Sequence, residues 1–446
     1  MRWKRVTWLL SLLGLVGLSG FVVVGRAQAP QLCPAARTEL KTLVTDGRGR
    51  LFTATTLQQD FDARAFRADL QDMARRLTRL NSSLVAVPVP WKALLVVPPG
   101  NSGSPQLLGF EPLKARQGYW SVTNTFRAAG IPTLDVLSLY LNSGETPYFK
   151  TDHHWTARGA ELAAAGIRPL LTPLTLQRLG NPAPLPPPTF QGTVEFTGSH
   201  AALADTVCPP VWPLEKTFQS VTVGLPEQGL LDEAALPVLL FGSSFSRSAR
   251  VNDAQALPSY GFEQWLSADL GVAVQNEAFS SGSQGSWLEY LAQHLGEPLP
   301  PLIVWEMPIA DFARDHQAAT ALFFDQLIPL LSLTEFPGAP PTQVLQQRPF
   351  KQVKAAYDLG PLPAQAFVQV RLSKATALSP RVTVEGTGGQ RTVTLRREGN
   401  KAMAMPGYAL RLPRDLGTLK RLVLEWPVAS NDLAPQVEAV TIHALK

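Results

Sequence analysis

The chain has 446 residues, 45% of them apolar and 17% charged, with 39 prolines and a net charge of +5. That length suits two or three domains with a large core, and the composition is that of an ordinary globular protein rather than a disordered one. The basic excess fits a solvated surface or attraction to an anionic polymer or membrane face, but Lys and Arg do not cluster with aromatics, which sets nucleic acid aside.

Arg2, Lys4 and Arg5 precede an apolar run over residues 6–24, about as long as a bilayer core requires of a helix. Residues 1–29 read as a signal peptide or an N-terminal membrane anchor, with the basic start inside and the remainder exported, periplasmic or secreted. Pro30 stands just after an Ala-Gln-Ala site and hinders a cut there, whereas Ala27 offers another, so cleavage and anchoring both stay open. Cys33 and Cys208 suit an oxidising compartment, where a disulfide would tether the mature N-terminus to the domain. Their spacing matches no metal motif.

Between residues 61 and 80, Phe66, Leu70, Met73, Ala74, Leu77 and Leu80 recur at helical spacing, with Arg64, Arg67, Asp72, Arg75 and Arg79 between them. This predicts an amphipathic helix with a solvated arginine face. Apolar runs at 84–89, 93–97 and 131–136, each punctuated by Pro or Gly, predict buried strands, and 118–129 predicts a helix.

Residues 148–159 read Tyr-Phe-Lys-Thr-Asp-His-His-Trp-Thr-Ala-Arg-Gly, in a chain with only 6 histidines. Asp152 and His154 are two apart, so an extended or turn backbone can point both to one side, as a carboxylate orienting a general base requires. Thr156 can cap a helix that continues over 160–167 and that Pro169 would end. The proline-rich 181–188 stretch predicts an extended surface excursion. Strands at 237–241, 271–275 and 302–305 alternate with helices at 262–270 and 287–295, which implies a parallel sheet covered on both faces.

The composition shifts at 336–341. Beyond it, period-two alternation at 367–372, 381–385 and 391–395, around a Gly-rich turn at 386–389, predicts a hairpin. Runs at 422–426 and 437–442 complete a small antiparallel sandwich. The resulting division is a catalytic α/β domain at 30–334, a linker at 335–349 and a sandwich at 350–446.

A nucleophile is still needed, and Gly242-Ser243-Ser244-Phe245-Ser246 directly follows the clearest buried strand. A serine on a tight turn at the carboxyl end of a central strand is where α/β folds place reactive groups, and backbone N–H groups there can stabilise an oxyanion. By itself such a turn more often just ends a strand; paired with Asp-x-His it completes a set in which serine needs a base and the base needs a carboxylate.

At these two places the chain resembles the alginate O-acetyltransferase (AlgX/AlgJ-like) branch of SGNH-type proteins. The matching residues are Asp152, His154 and Trp155 within YFKTDHHWTARGAELAA, and Ser244 within LLFGSSFS; VPVPWKALLVV, GIPTLDV and IVWEMP are further likenesses. The resemblance covers roughly residues 64–331. It implies an α/β fold with an SGNH-like parallel sheet flanked by helices, followed by an all-β sandwich that serves as a carbohydrate-binding or assembly module. It also implies Ser244 as nucleophile, His154 as base and Asp152 as its orienting carboxylate, with His153 structural. Where the family has basic and aromatic residues after Trp-Glu-x-Pro, this chain has Ile309-Ala310-Asp311-Phe312, so the likeness extends to the triad and not to the acceptor contacts.

The implied partners are a polysaccharide acceptor and an acetyl donor supplied through a membrane protein that exports acetyl groups, with no metal or tightly bound cofactor. Ser243, Arg247 and Trp155 are candidates to shape the substrate pocket, although each also fits a turn, cap or packing role. Gly282 is a candidate oxyanion donor by analogy with the second SGNH block. Trp426 and Tyr408 are the stacking candidates of the sandwich, each equally suited to its core. Three rival classes share these residues: a secreted esterase using water as acceptor, a metal-dependent DHH-type phosphoesterase, which would need further Asp-rich motifs, and a non-catalytic polysaccharide-binding protein.

Overall fold

The computed structural model describes residues 33, 43–46, 48–95, 109–145, 147–209, 212–224, 237–247, 260–278, 282–346, 349, 351–376, 378–395, 405–428 and 434–445. The expected signal or anchor at 1–29 lies outside the described residues. Among the described residues, no helix is long and apolar enough to cross a membrane.

A short antiparallel ribbon, β1 (Leu43–Thr45) and β2 (Leu51–Thr53), opens the described chain. The amphipathic helix forms over Arg67–Arg79, burying Leu70, Met73 and Leu77. β3 (Ser83–Val89) follows, almost wholly buried because it lies within a sheet covered on both faces. Two expected strands do not form. Lys92–Leu95 is a 3-10 turn instead of the start of a strand at 93–97, and Val96 and Val97 lie outside the described residues. The 131–136 run makes one parallel bridge, Thr133 to Ala86, before Asp135 caps the helix Val136–Ser143 by accepting from the Ser138 amide at 2.9 Å. The helix expected at 118–129 spans Pro112–Ala128, with proline in its first turn.

Thr156 caps the helix Ala157–Ala165, accepting from Gly159 N at 3.2 Å. The 181–188 stretch has no regular structure. An exposed hairpin, β4 (Thr189–Phe196) with β5 (Glu215–Thr222), brackets the short helix Ser199–Ala204. Then come β6 (Val238–Phe241), the helix Phe262–Leu270, β7 (Val274–Asn276), the helix Ser283–Gln293, β8 (Leu302–Pro308) and the helix Gln317–Glu335. β7 starts later than expected because Gly271 is the left-handed cap of the preceding helix, at φ 75°. The four strands form one parallel sheet in the order β3-β8-β6-β7. Its carboxyl edge therefore gathers the segments that leave β3, β6 and β8, as open α/β sheets do at their functional edge.

The tail is two antiparallel four-stranded sheets. One joins β10 (Lys354–Asp358), β12 (Arg381–Gly386), β13 (Gly389–Thr394) and β15 (Leu419–Glu425); the other joins β9 (Gln343–Gln346), β11 (Ala366–Thr376), β14 (Met405–Arg411) and β16 (Val437–Ala444). The Gly-rich hairpin closes at Gly386 opposite Gly389. β9 falls inside the expected linker yet pairs with β16. Apolar side chains of the sandwich, Leu410 and Leu412 among them, share one core with Phe323 and Leu327 of the helix Gln317–Glu335. Arg411 reaches Asp69 at 2.7 Å across the same contact. Trp426 and Tyr408 are both buried, so neither offers a stacking face.

Candidate active site

Residues 148–155 form a loop closed at its neck by the antiparallel bridge of Tyr148 to Trp155 and by Thr156 N donating to Pro147 O at 2.8 Å. At its tip Asp152 Oδ1 accepts from His154 Nδ1 at 2.6 Å and from the His154 amide at 2.8 Å. A carboxylate only accepts, so Nδ1 carries the proton and Nε2 is left as the acceptor, 2.8 Å from Ser244 Oγ. Asp152 Oδ2 accepts from Ser199 N at 2.7 Å. Burial would raise the Asp152 carboxyl, but the hydrogen bond from His154, the two imidazoles and the Ser199 amide overcome it and hold it well below the usual carboxylate range.

Ser244 sits on the turn after β6. Gly242 is required there: a Cβ would meet Ser246 Cβ at 2.8 Å and Glu306 Oε2 at 2.9 Å. Ser243 is buried and turned inward, giving its amide (2.7 Å) and its hydroxyl (2.9 Å) to the Glu306 carboxylate on β8. It is therefore a brace of the turn rather than a pocket wall. Trp155, a candidate substrate contact, is 0% exposed and donates Nε1 to Phe245 O at 2.9 Å, which ties the 148–155 loop to the turn after β6. Arg247 follows the turn, half-buried. Gly282 is the N-cap of the helix Ser283–Gln293, and no hydrogen bond among the described residues joins it to the triad. Cys33 and Cys208 form a disulfide with Cα atoms 6.0 Å apart. Its apolar surroundings, Leu43, Leu51, Ala201 and Ala204, include the helix that starts at Ser199.

Asp152, His153 and His154 each place a donor atom within 4.8 Å of the others. Those atoms are already engaged, however, with one another, with Ser199 (His153 Nδ1 to Oγ at 2.9 Å) and with Ser244. The arrangement suits proton transfer along a line better than a cation at a centre. Burial and the neighbouring His154 hold His153 well below the ordinary histidine range, as expected of a neutral packing residue.

Residues 46–309, more than half of the chain, match the family described as the SGNH hydrolase-like domain of the acetyltransferase AlgX. The chain belongs to that family. It is 32% identical over 185 residues to the alginate biosynthesis protein AlgX of Azotobacter vinelandii, covering 39% of this chain and 35% of that protein. Over 265 residues it is 29% identical to the probable alginate O-acetylase AlgJ of the same organism, covering 57% and 64%. The chain thus spans less than two thirds of these curated relatives. The solved structure of Pseudomonas aeruginosa AlgX shares the fold, with a TM-score of 0.70, 22% identity, and coverage of 93% of this chain and 99% of that one.

Within this AlgX-type fold, four residues that sequence reasoning missed complete the site. Ser199 serves both Asp152 and His153. Tyr260 stacks on the His154 ring, with centroids 5.2 Å apart. Glu306 is 0% exposed, and burial pushes it up to about 7 despite the bonds from Ser243. Lys92 is 2% exposed, and burial lowers it to about 7. Glu306 lies in the IVWEMP run and Lys92 in VPVPWKALLVV; a charged residue inside an otherwise apolar run was the available signal.

Proposed function

We propose that this chain is an exported polysaccharide O-acetyltransferase working through a serine acetyl-enzyme. Ser244 Oγ attacks the carbonyl of an acetyl ester or thioester while His154 Nε2 takes its proton. The tetrahedral adduct collapses, breaking the acyl bond to the donor, and His154 returns the proton to the leaving group. A sugar hydroxyl then attacks the acetyl-serine, giving its proton to His154, and Ser244 is released with that proton. Asp152 fixes the imidazole tautomer throughout. The observation that carries this reading is the unbroken line Asp152 Oδ1, His154 Nδ1, His154 Nε2, Ser244 Oγ, with links of 2.6 and 2.8 Å.

The chemistry needs no metal or tightly bound cofactor. Family membership supports acetyl transfer over water as the acceptor. An extracytoplasmic acetyl donor, delivered through a membrane acetyl-exporting protein, and a polysaccharide acceptor complete the cycle. The division at 30–334, 335–349 and 350–446, with the sandwich holding carbohydrate and residues 1–29 directing or anchoring the chain, belongs to the same proposal.

The test uses wild type and Ser244→Ala with p-nitrophenyl acetate, following acetyl release and protein mass with and without oligosaccharides. A Ser244-dependent acetyl adduct that passes to sugar is expected. Ser244-dependent turnover indifferent to sugars would convert the reading to an esterase, and equal behaviour of the two proteins would remove the nucleophile.

A further inference from the structure

The loop that carries Asp152 and His154 turns an unusual set of groups inward. Lys92, on the 3-10 turn after β3, donates Nζ to the carbonyls of Phe149 (3.1 Å), Lys150 (2.8 Å) and Asp152 (2.7 Å). The intervening Thr151 is held from the other side: its amide and hydroxyl both reach Glu215 Oε1, at 2.5 and 2.8 Å. An ammonium has three N–H bonds, and here each has a carbonyl of one loop. The Phe52 ring lies 5.1 Å from Nζ, and Lys92 is buried.

We propose that Lys92 is a positioning residue of the catalytic site: its buried ammonium gathers three carbonyls of the 148–155 loop at one point and thereby sets where Asp152 presents its carboxylate to His154. This rests on the serine acyl-transfer reading. A neutral lysine keeps two N–H bonds and turns a lone pair toward the third carbonyl. Lys150 O still has the Leu51 amide at 2.9 Å, but the buried carbonyl of Phe149 or Asp152 turned toward that lone pair loses its donor, and the loop relaxes. The groups facing Lys92 are Asp152, Glu215 and Asp46, which favour its charge, and Arg50, which opposes it. The imidazoles of His153 and His200 also feel its charge, and both are held below the ordinary range. Burial outweighs the carboxylates, so the ammonium is lost near neutral pH.

The experiment measures single-turnover acetylation of Ser244 by p-nitrophenyl acetate against pH in wild type, Ser244→Ala and Lys92→Met, with proton NMR of the low-field His154 Nδ1–H. In Lys92→Met the limiting acetylation rate is expected to fall about 100-fold at unchanged KM, the scale of an ångström-level misplacement, and the low-field resonance to disappear. Wild type is expected to lose rate and resonance together on the alkaline side, a limb that Lys92→Met lacks. Wild-type rate and pH profile in Lys92→Met, with the adduct still dependent on Ser244, would overturn the role of Lys92 and leave the acetyl-enzyme standing. An adduct no greater in wild type than in Ser244→Ala would instead sink the acyl-transfer reading. Should Lys92→Met not fold, Lys92→Gln takes its place: a wild-type acetylation rate and low-field resonance in that variant, with the adduct still dependent on Ser244, overturn the proposal.

Discussion

The loop at 148–155 and the turn at 242–246 meet at Ser244 and His154, and each rests on one buried ionisable group of opposite sign. The loop points carbonyls inward and is held by the Lys92 ammonium. The turn points an N–H and a hydroxyl inward and is held by the Glu306 carboxylate. The polarity that the backbone turns away from water thus selects the charge of its brace, because a buried polar group without a partner costs about 1–3 kcal/mol. Both braces are pulled toward neutrality by burial, and both titrate at about 7. β8, which carries Glu306, lies between β3, which leads to Lys92, and β6, which leads to the turn.

Asp152→Asn is the strongest way to separate the loop's geometry from its chemistry. The amide can keep the loop closed but presents the wrong partner to His154 Nδ1, so acetylation should fall by roughly three to four orders of magnitude with the fold intact. Stopped-flow acetylation beside a thermal melt checks both halves.

Next in size is the pH dependence of stability, where the two braces act with opposite sign. Glu306 has its folded pKa raised from 4.5 to about 7. Between those values the folded state holds the extra proton, so the contribution is complete below pH 4.5 and lost as pH rises through about 7. Lys92 has its folded pKa lowered from 10.5 to about 7. Between those values the unfolded state holds the extra proton, so its contribution is complete above pH 10.5 and lost as pH falls through about 7. Each slope amounts to a few kcal/mol. Urea unfolding across pH should show Glu306→Gln flattening only the acidic window and Lys92→Met only the alkaline one. A variant that flattens both windows would mean the two supports are not independent.

The hydrogen-bonded set of Asp152, His154 and Ser244 was legible in the sequence because the proposed chemistry demands residue types at fixed places: Asp and His two apart, and serine just past a buried strand. The parallel sheet and the sandwich were legible from hydrophobic period. The braces were not, since Lys92 and Glu306 bind backbone groups whose direction no spacing records. The same limit explains the start of the strand expected at 93–97: Ala93 and Leu94 pack well in a helical turn, and only the fold requires the chain to turn there so that Lys92 points back. At 131–136 the signal was present but outranked, because Asp135 with Ser138 three residues on is a helix cap inside an apolar run. Trp155 and Ser243 were visible as residues that fit either a pocket or a supporting role, and their burial and hydrogen bonds to Phe245 and Glu306 decide for support.

The smallest expected effect concerns the second hydrogen bond between the two regions, beside that of His154 to Ser244. Trp155 Nε1 donates to Phe245 O, one residue past the nucleophile. Trp155→Phe removes that donor and some volume, leaving a buried carbonyl unpaired, so stability should fall by about 2 kcal/mol. Acetylation should fall less than about tenfold, since the triad's own hydrogen bonds remain and only their mutual placement loosens. Glu306 holds the same turn through Ser243, so Trp155→Phe and Glu306→Gln should be non-additive in unfolding free energy by at least about 0.5 kcal/mol. Strict additivity in that double-mutant cycle would make the nucleophile turn rigid on its own, with Trp155 a packing residue only. Coupling would instead make the indole the part that keeps two oppositely braced turns in register.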